Sequence, residues 1–332
     1  MKHSGAVLSA SINKYFYTLV TELEDRKVQL ISADLRVMQT LDSLKPDALE
    51  GDLRIPIAAI QHIGLDRGAN VFLASEIPPG TGLGSSGAVA VCIVKALSTF
   101  KQDHLDRYAL AESAYYINTT MLGHPGGKQD EYGSAFGGLK YIDFRPDGVT
   151  VRPLDLDPTL LRELDSNIML FFTGSSRASS SILERQKKES ADQKQSTIDA
   201  LDLLKEQAAE AVAVLEAGEL RRFGEMMHEA WQTKKRVTSG ITNPQIDSLY
   251  ELARANGAVG GKIAGAGGGG FLMLYCEEPN RAAVSQALRD AGAREMLFQF
   301  DYEGATVVYD EPFFGSDSAL AAGMDWHLVE LT

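Results

Sequence analysis

Residues Ile77 to Leu97 read IPPGTGLGSSGAVAVCIVKAL. Five of the first ten positions are Gly or Pro, and the residues after them are apolar almost all round, the pattern of a buried helix. The segment before them, NVFLASEI, has the β-branched and aromatic residues of a strand. A glycine-rich loop between a strand and a helix lets the backbone take positive φ angles and approach a ligand closely. A helix that starts near Ser85 adds unpaired amides and the positive end of its dipole. Together these features make an anion site suited to phosphate. The hydroxyls of Ser85 and Ser86 are candidates for phosphate oxygens or a Mg²⁺ ion. The loop is neither GxxxxGK[ST] nor GxGxxG, since no lysine follows and the spacing differs. The competing reading is a tight turn capped by serine.

Two further stretches are equally costly in backbone entropy. GHPGGKQDEYGSAFGG, Gly123 to Gly138, brings Lys128, Gln129, Asp130 and Glu131 together in a loop. A carboxylate within reach of a lysine stays ionised and could orient or deprotonate a hydroxyl. Alternatively, Asp130 caps the turn that follows. GGKIAGAGGGGFLMLYC, Gly260 to Cys276, holds four consecutive glycines before an apolar strand. A flexible linker is not needed between a helix and a buried strand. The expectation is a loop packed closely against another loop or a nucleotide phosphate.

Around these stretches, the length of 332 residues suggests two domains. The first third reads as strands at AVLSASI, YFYTLVTEL, VQLISA and NVFLASEI, with DALEGDLRIPIAAIQHIGLD as two short helical pieces around its proline. LDRYALAESAYYINTTML predicts a helix, GLKYIDFRPDGVTVRPLD a hairpin, and Asn167 to Thr173 a buried strand. From Ser180 the chain turns helical. NPQIDSLYELARANG has Asn243 as N-cap and Pro244 at N1. GGFLMLYC predicts a strand, PNRAAVSQALRDAG a helix, and EMLFQFDYEGATVVYD a closing strand region, while residues 311–332 fit no element. The expected units are residues 1–165, residues 166–310 and a tail.

A net charge of −13 argues against nucleic acid and a membrane surface. No apolar run is long enough to span a bilayer. Cys92 and Cys276 sit in apolar segments without metal-ligand spacing and read as reduced core residues of a cytoplasmic protein.

PPGTGLGSSGA resembles the second motif of the GHMP small-molecule kinases, and GAGGGGF resembles their third. GGKQDEYGSAFGG, FFTGSSRASSSILERQ and HEAWQTKKRVTSGITNPQIDSLYELARANG look like the sugar 1-kinase branch typified by heptose 7-phosphate kinases. The resemblance runs from about Gly5 to Asp310. It implies an α+β fold of two domains, the N-terminal one like ribosomal protein S5 and the C-terminal one ferredoxin-like. It also implies transfer of the γ-phosphoryl group of ATP, with Mg²⁺, to a sugar hydroxyl, and most closely the anomeric hydroxyl of a heptose 7-phosphate. A fucose- or galactose-like substrate and an impaired nucleotide- or sugar-binding homologue are the alternatives.

In that scheme Asp130 is the catalytic carboxylate. Nucleotide contacts fall on Pro79, Gly80, Gly82, Leu83, Gly84, Ser85, Ser86, Gly87, Gly265, Gly267 and Gly268. Lys128, Gln129, Arg177 and Lys262 are the candidates for substrate binding, with Arg177, and after it Lys128 and Lys262, for the sugar phosphate, Arg177 first because its guanidinium matches phosphate oxygens bidentately. A surface salt bridge is its competing role. Ser86 and Asn118 are the metal candidates. The implied partner is a small-molecule sugar or sugar phosphate, with room for a homodimer.

The chain departs from the family pattern twice. A strand and glycine-rich Thr-Asp motif usually precede the segment SGAVLSASINKY. Their absence before Met1 predicts an exposed sheet edge. Asn118 stands where the family carries a metal-ligating glutamate, and a neutral amide is the weaker ligand for a hard cation.

Overall fold

The amphipathic and alternating segments form their elements in chain order, as seen in a computed structural model that describes residues 4–42, 49–174, 180–192 and 194–310. They are β1 (Gly5–Ala10), β2 (Phe16–Leu23), β3 (Val28–Ser32), β4 (Val37–Leu41), α1 (Arg54–Ile63), β5 (Gly68–Ser75), α2 (Ser85–Phe100) and α3 (Arg107–Tyr116). After a π-helical turn over Ile117–Met121 come α4 (Gln129–Phe136), β6 (Leu139–Arg145), β7 (Gly148–Pro153), α5 (Pro158–Asn167) and β8 (Ile168–Phe172). Then follow α6 (Ser180–Ala191), α7 (Gln195–Glu216), α8 (Leu220–Lys234), α9 (Pro244–Ala255), β9 (Gly260–Ile263), β10 (Phe271–Tyr275), α10 (Glu278–Asp290) and β11 (Arg294–Met296).

Several expectations change. Pro56 does not divide α1, because it sits in the first turn, where a missing N–H costs no helical bond. The helix expected through Leu122 loosens to a π-turn after Tyr116. β4 and β9 were not expected as strands. β4 has only its two ends turned toward the core, and β9 begins with two glycines. The closing strand region shrinks to the three residues of β11. Asn243 caps α9 as expected, its side chain accepting from the Ile246 amide.

The N-terminal half carries two sheets. In β2-β5-β3-β4 only β3 and β5 run parallel. Val28, Leu30 and Val71 from its inner face pack with Ile57 and Ile60 of α1 and Val94 and Leu97 of α2. In β1-β6-β7 all pairs are antiparallel and β1 stands at the edge. The C-terminal sheet is antiparallel, in the order β11-β8-β10-β9. With helices between β8 and β9 and between β10 and β11, this is the βαββαβ arrangement of a ferredoxin-like layer. Its core includes Phe171, Leu272, Leu274, Trp231 and Tyr250.

A third cluster joins the halves. Leu139, Leu154 and Leu156 meet Ile168, Val212, Leu215 and Tyr275. Beyond β11 the chain returns to the first sheet. Asp301 N donates to Ser11 O at 2.9 Å and Gly138 N donates to Asp301 O at 2.7 Å. Bonding to the irregular segments Ser11–Asn13 and Gly138, instead of to a straight neighbour, explains why this stretch is not a regular strand. Both cysteines are free. Among the described residues no helix is long and apolar enough to cross a membrane.

Candidate active site

α2 begins at the end of the opening glycine loop. Its N-cap is Gly84, in the left-handed region at φ 74°, and no side chain caps the helix. The serine-capped turn is therefore not what forms. Among the described residues the amides of Ser85, Ser86 and Gly87 have no hydrogen-bond partner. They are the orphan donors of a helix start, where an anion is favoured. Pro79, Gly80 and Leu83 lie along the same loop, with Pro79 and Gly80 exposed and Leu83 half-buried.

α4 packs against this start. A methyl group on Gly87 would stand 2.7 Å from Asp130 Cβ, and one on Gly84 would stand 3.2 Å from the Asp130 carboxyl carbon. Only glycine at 87 lets Asp130 come so near the first turn of α2. Asp130 is in the first turn of α4, whose N-cap is Lys128 with no capping side chain, so Asp130 is not a cap. Gln129 Nε2 donates to Asp130 Oδ1 at 3.1 Å. Burial pushes the Asp130 carboxyl above the usual carboxylate range, against the Gln129 hydrogen bond and the nearby Lys234 ammonium.

The lysine expected to keep Asp130 ionised does something else. Lys128 Nζ binds both oxygens of Glu112, at 2.5 and 2.7 Å, over the Tyr115 ring. Tyr132 Oη donates to the same Glu112. The pair ties α4 to α3 and engages the Lys128 charge away from Asp130.

The cation that faces Asp130 is Lys234, from the last turn of α8. No role was expected for it, although its segment was among the family-like stretches. Nothing in its immediate neighbours marks it, because α9 and β9 separate it from the glycine loop it meets. Lys234 Nζ donates to Ile263 O at 3.1 Å and to Gly265 O. Burial brings its pKa down to about 7, with Lys262 on β9 lowering it further and Asp130 opposing. Lys262 is half-buried opposite Met273, and its pKa too is lowered by burial.

The four-glycine loop packs on the first loop. A methyl group on Gly265 would stand 2.6 Å from Gly82 O, and one on Gly270 would stand 2.1 Å from Thr81 O. The loop-on-loop alternative is thus the one formed at these positions. Gly268 N donates to Ile241 O at 2.8 Å, and Gly267 abuts the same carbonyl. Its amide is therefore engaged within the chain, and an approach to a nucleotide at Gly268 would be by backbone contact and not by donation. Arg177 lies outside the described residues.

Of the two metal candidates, Ser86 is exposed, whereas Asn118 is 3% exposed. Asn118 Nδ2 donates to Glu131 Oε1 at 2.9 Å and to Ser86 O at 3.3 Å. Both partners are acceptors, which fixes the orientation of the amide. Glu131 is 4% exposed, and burial lifts its pKa to about 7, with the Asn118 hydrogen bond opposing. Ser85 Oγ, Asn118 Oδ1 and Glu131 Oε2 are buried without a hydrogen-bond partner. Orphaned oxygens of this kind are costly unless something binds them, and a hard divalent cation fits that donor set. Among the described residues no group of three or more His, Cys, Asp or Glu is placed to hold a metal alone. Such an ion would share its ligands with phosphate oxygens, as Mg²⁺ commonly does.

The arrangement thus offers an amide-lined anion cradle, the half-buried Asp130 carboxyl beside it, and the Lys234 side chain arriving from the other half of the chain. Comparison with known proteins agrees with that chemistry. Residues 54–138 match the GHMP kinases N terminal domain and residues 208–294 match the GHMP kinases C terminal domain. The chain is 29% identical over 309 residues to D-glycero-alpha-D-manno-heptose 7-phosphate kinase of Campylobacter jejuni, covering 91% of each. It is 28% identical over 212 residues to the bifunctional fucokinase/GDP-fucose pyrophosphorylase of Arabidopsis thaliana, covering 63% of this chain and 20% of that one. The crystal structure of a D-glycero-D-manno-heptose 1-phosphate kinase from Bacteroides thetaiotaomicron superposes with a TM-score of 0.76, at 27% identity over 92% of each chain. The chain belongs to the GHMP kinases.

Proposed function

We propose that this GHMP kinase is an ATP-dependent sugar kinase whose acceptor is the anomeric hydroxyl of a heptose 7-phosphate. The observation that carries the reading is the seating of Asp130 against Gly87, at the anion-binding start of α2. The similarity to a heptose 7-phosphate kinase over 91% of the chain supports the choice of sugar.

Bound with Mg²⁺ at this cradle, ATP would supply the γ-phosphoryl group. The amides of Ser85, Ser86 and Gly87 would hold the phosphates, with the dipole of α2 favouring their charge. Asp130 would accept the proton of the acceptor hydroxyl as its oxygen bonds to phosphorus and the bond to the departing diphosphate breaks. Its raised pKa makes it a better base than an exposed carboxylate. Gln129 orients Asp130. The Lys234 ammonium would offset charge on the phosphoryl group and hold the four-glycine loop by two carbonyls. Lys262 and Arg177 are proposed for the phosphate already on the sugar. Phosphoryl transfer demands positioning and charge neutralisation above all, and both are supplied by chain segments far apart in sequence.

A fucose-like acceptor is the second reading, favoured by the fucokinase similarity. A panel of heptose 7-phosphate, fucose and galactose in an ADP-release assay separates them, with ³¹P NMR identifying the product. A heptose 1,7-bisphosphate, with no product from fucose or galactose, supports the first reading. Turnover of fucose with none of the heptose phosphate would replace it.

A further inference from the structure

Asn118 stands where the resemblance implies a metal-ligating glutamate, and a carboxyl group from the next element lies within hydrogen-bond reach of it. Asn118, in the π-turn after α3, points its amide at Glu131 Oε1, 2.9 Å away. Glu131 stands in the first turn of α4, directly after Asp130, and its backbone nitrogen comes within 3.0 Å of a methyl built on Gly87. The second amide hydrogen of Asn118 reaches Ser86 O. Three side chains around the first turn of α2 therefore keep one oxygen each without a partner: Glu131 Oε2, Asn118 Oδ1 and Ser85 Oγ. Two of these residues are more than nine-tenths buried. A solvated face explains none of the three, because buried polar atoms are otherwise satisfied. The only hydrogen that Asn118 gives Glu131 goes to Oε1, which leaves Oε2 free as an acceptor.

We propose that Glu131, through Oε2, is the carboxylate ligand of the divalent cation that accompanies the nucleotide. Asn118 is then a positioning residue that holds Glu131 by its amide and adds its own oxygen, and Ser85 supplies a hydroxyl. The carboxylate that the resemblance implies on the preceding helix would then be carried by α4, the helix of Asp130. On this proposal a bound cation would draw Glu131 into its ionised form, against the burial that raises its pKa to about 7. One of the two grounds for the impaired-homologue alternative, the neutral Asn118, is then met by a neighbouring carboxyl group. The inference rests on the nucleotide reading above, and its test separates the two.

The test measures binding, with ATP and Mn²⁺ or Mg²⁺ as probes, and needs no turnover. Calorimetry gives the affinity for ATP alone and for metal·ATP in wild type, Glu131→Gln and the swap Asn118→Glu/Glu131→Gln. Glu131→Gln should lose at least about tenfold in Mn²⁺·ATP affinity, the scale seen when metal-site support is removed. Metal-free ATP should bind it as it binds wild type, and the swap should recover the metal-dependent part. Pulsed ENDOR on wild-type protein labelled with ¹³C-carboxyl glutamate should show a strongly coupled carboxylate carbon at bound Mn²⁺, whatever the folding of the variants. Unchanged Mn²⁺·ATP affinity in Glu131→Gln, or no coupled carbon in wild type, overturns the Glu131 assignment and leaves the nucleotide reading standing. Failure of wild type to bind ATP in any form overturns the nucleotide reading itself.

Discussion

Asp130 and Gly87 meet so closely that a single methyl on Gly87 would stand 2.7 Å from Asp130 Cβ, with the Asp130 carbonyl carbon 2.9 Å away. The contact sets the catalytic carboxylate of the proposal at the start of α2. Gly87→Ala should push α4 off α2, at a cost of about 1–3 kcal/mol for overpacking. Displacement of Asp130 should lower kcat by about 10²-fold, the effect of a misplacement near 1 Å. Steady-state kinetics and a urea titration check both parts.

Lys234 titrates where enzymes are assayed. Burial holds its pKa near 7, so its ammonium is lost as pH rises through about 7. Asp130 must be ionised to accept a proton, and its pKa is raised from the ordinary carboxylate value. The rate should rise on the acid side as Asp130 ionises and fall on the alkaline side as Lys234 becomes neutral. Arginine stays protonated in proteins. Lys234→Arg should therefore retain activity and carry the alkaline limb to higher pH. An alkaline limb unchanged in that variant would remove Lys234 from the profile.

Lys140, 1% exposed, donates to Ser11 Oγ and Gly138 O, joining β6 to the turn that receives Asp301. Burial lowers its pKa to about 7, from 10.5 in the unfolded chain. Between those values the unfolded state holds the proton and the native state does not. The unfolded state binds more protons there, so stability rises with pH across that window, by a few kcal/mol in all. Denaturant titrations from pH 7 to 10 should show wild type gaining on Lys140→Met. Parallel curves would mean that Lys140 keeps its charge when folded.

Lys128 was expected to contact the sugar phosphate, but its charge is bound to Glu112. Lys128→Met should leave KM for the sugar phosphate nearly unchanged and cost about 1 kcal/mol or less of stability, as partly exposed pairs do. A large rise in KM alone would return Lys128 to the substrate site.

Most of the local chemistry was legible in the chain. The glycine loop before α2, the Asn243 cap and the hairpin of β6 and β7 each depend on residues within a few positions of one another. β4 escaped notice because its exposed middle gives no alternation, and β9 because two of its four residues are glycine. The pairings at the site were less legible, since they join distant segments. Nothing near Lys128 in the chain says that Glu112 takes its charge, or that Lys234 faces Asp130. Asn118 was visible as a departure, whereas its contact with the Glu131 carboxyl, thirteen positions on, was not.

The most direct test of Asp130 as the catalytic carboxylate is coupled ADP release with heptose 7-phosphate, comparing wild type with Asp130→Asn. Wild type should turn over in proportion to the sugar phosphate, and the variant should lose about 10²–10⁴-fold in kcat, the contribution of a positioned general base. Its affinity for ATP should stay as in wild type. Equal turnover by the two proteins would contradict the role given to Asp130.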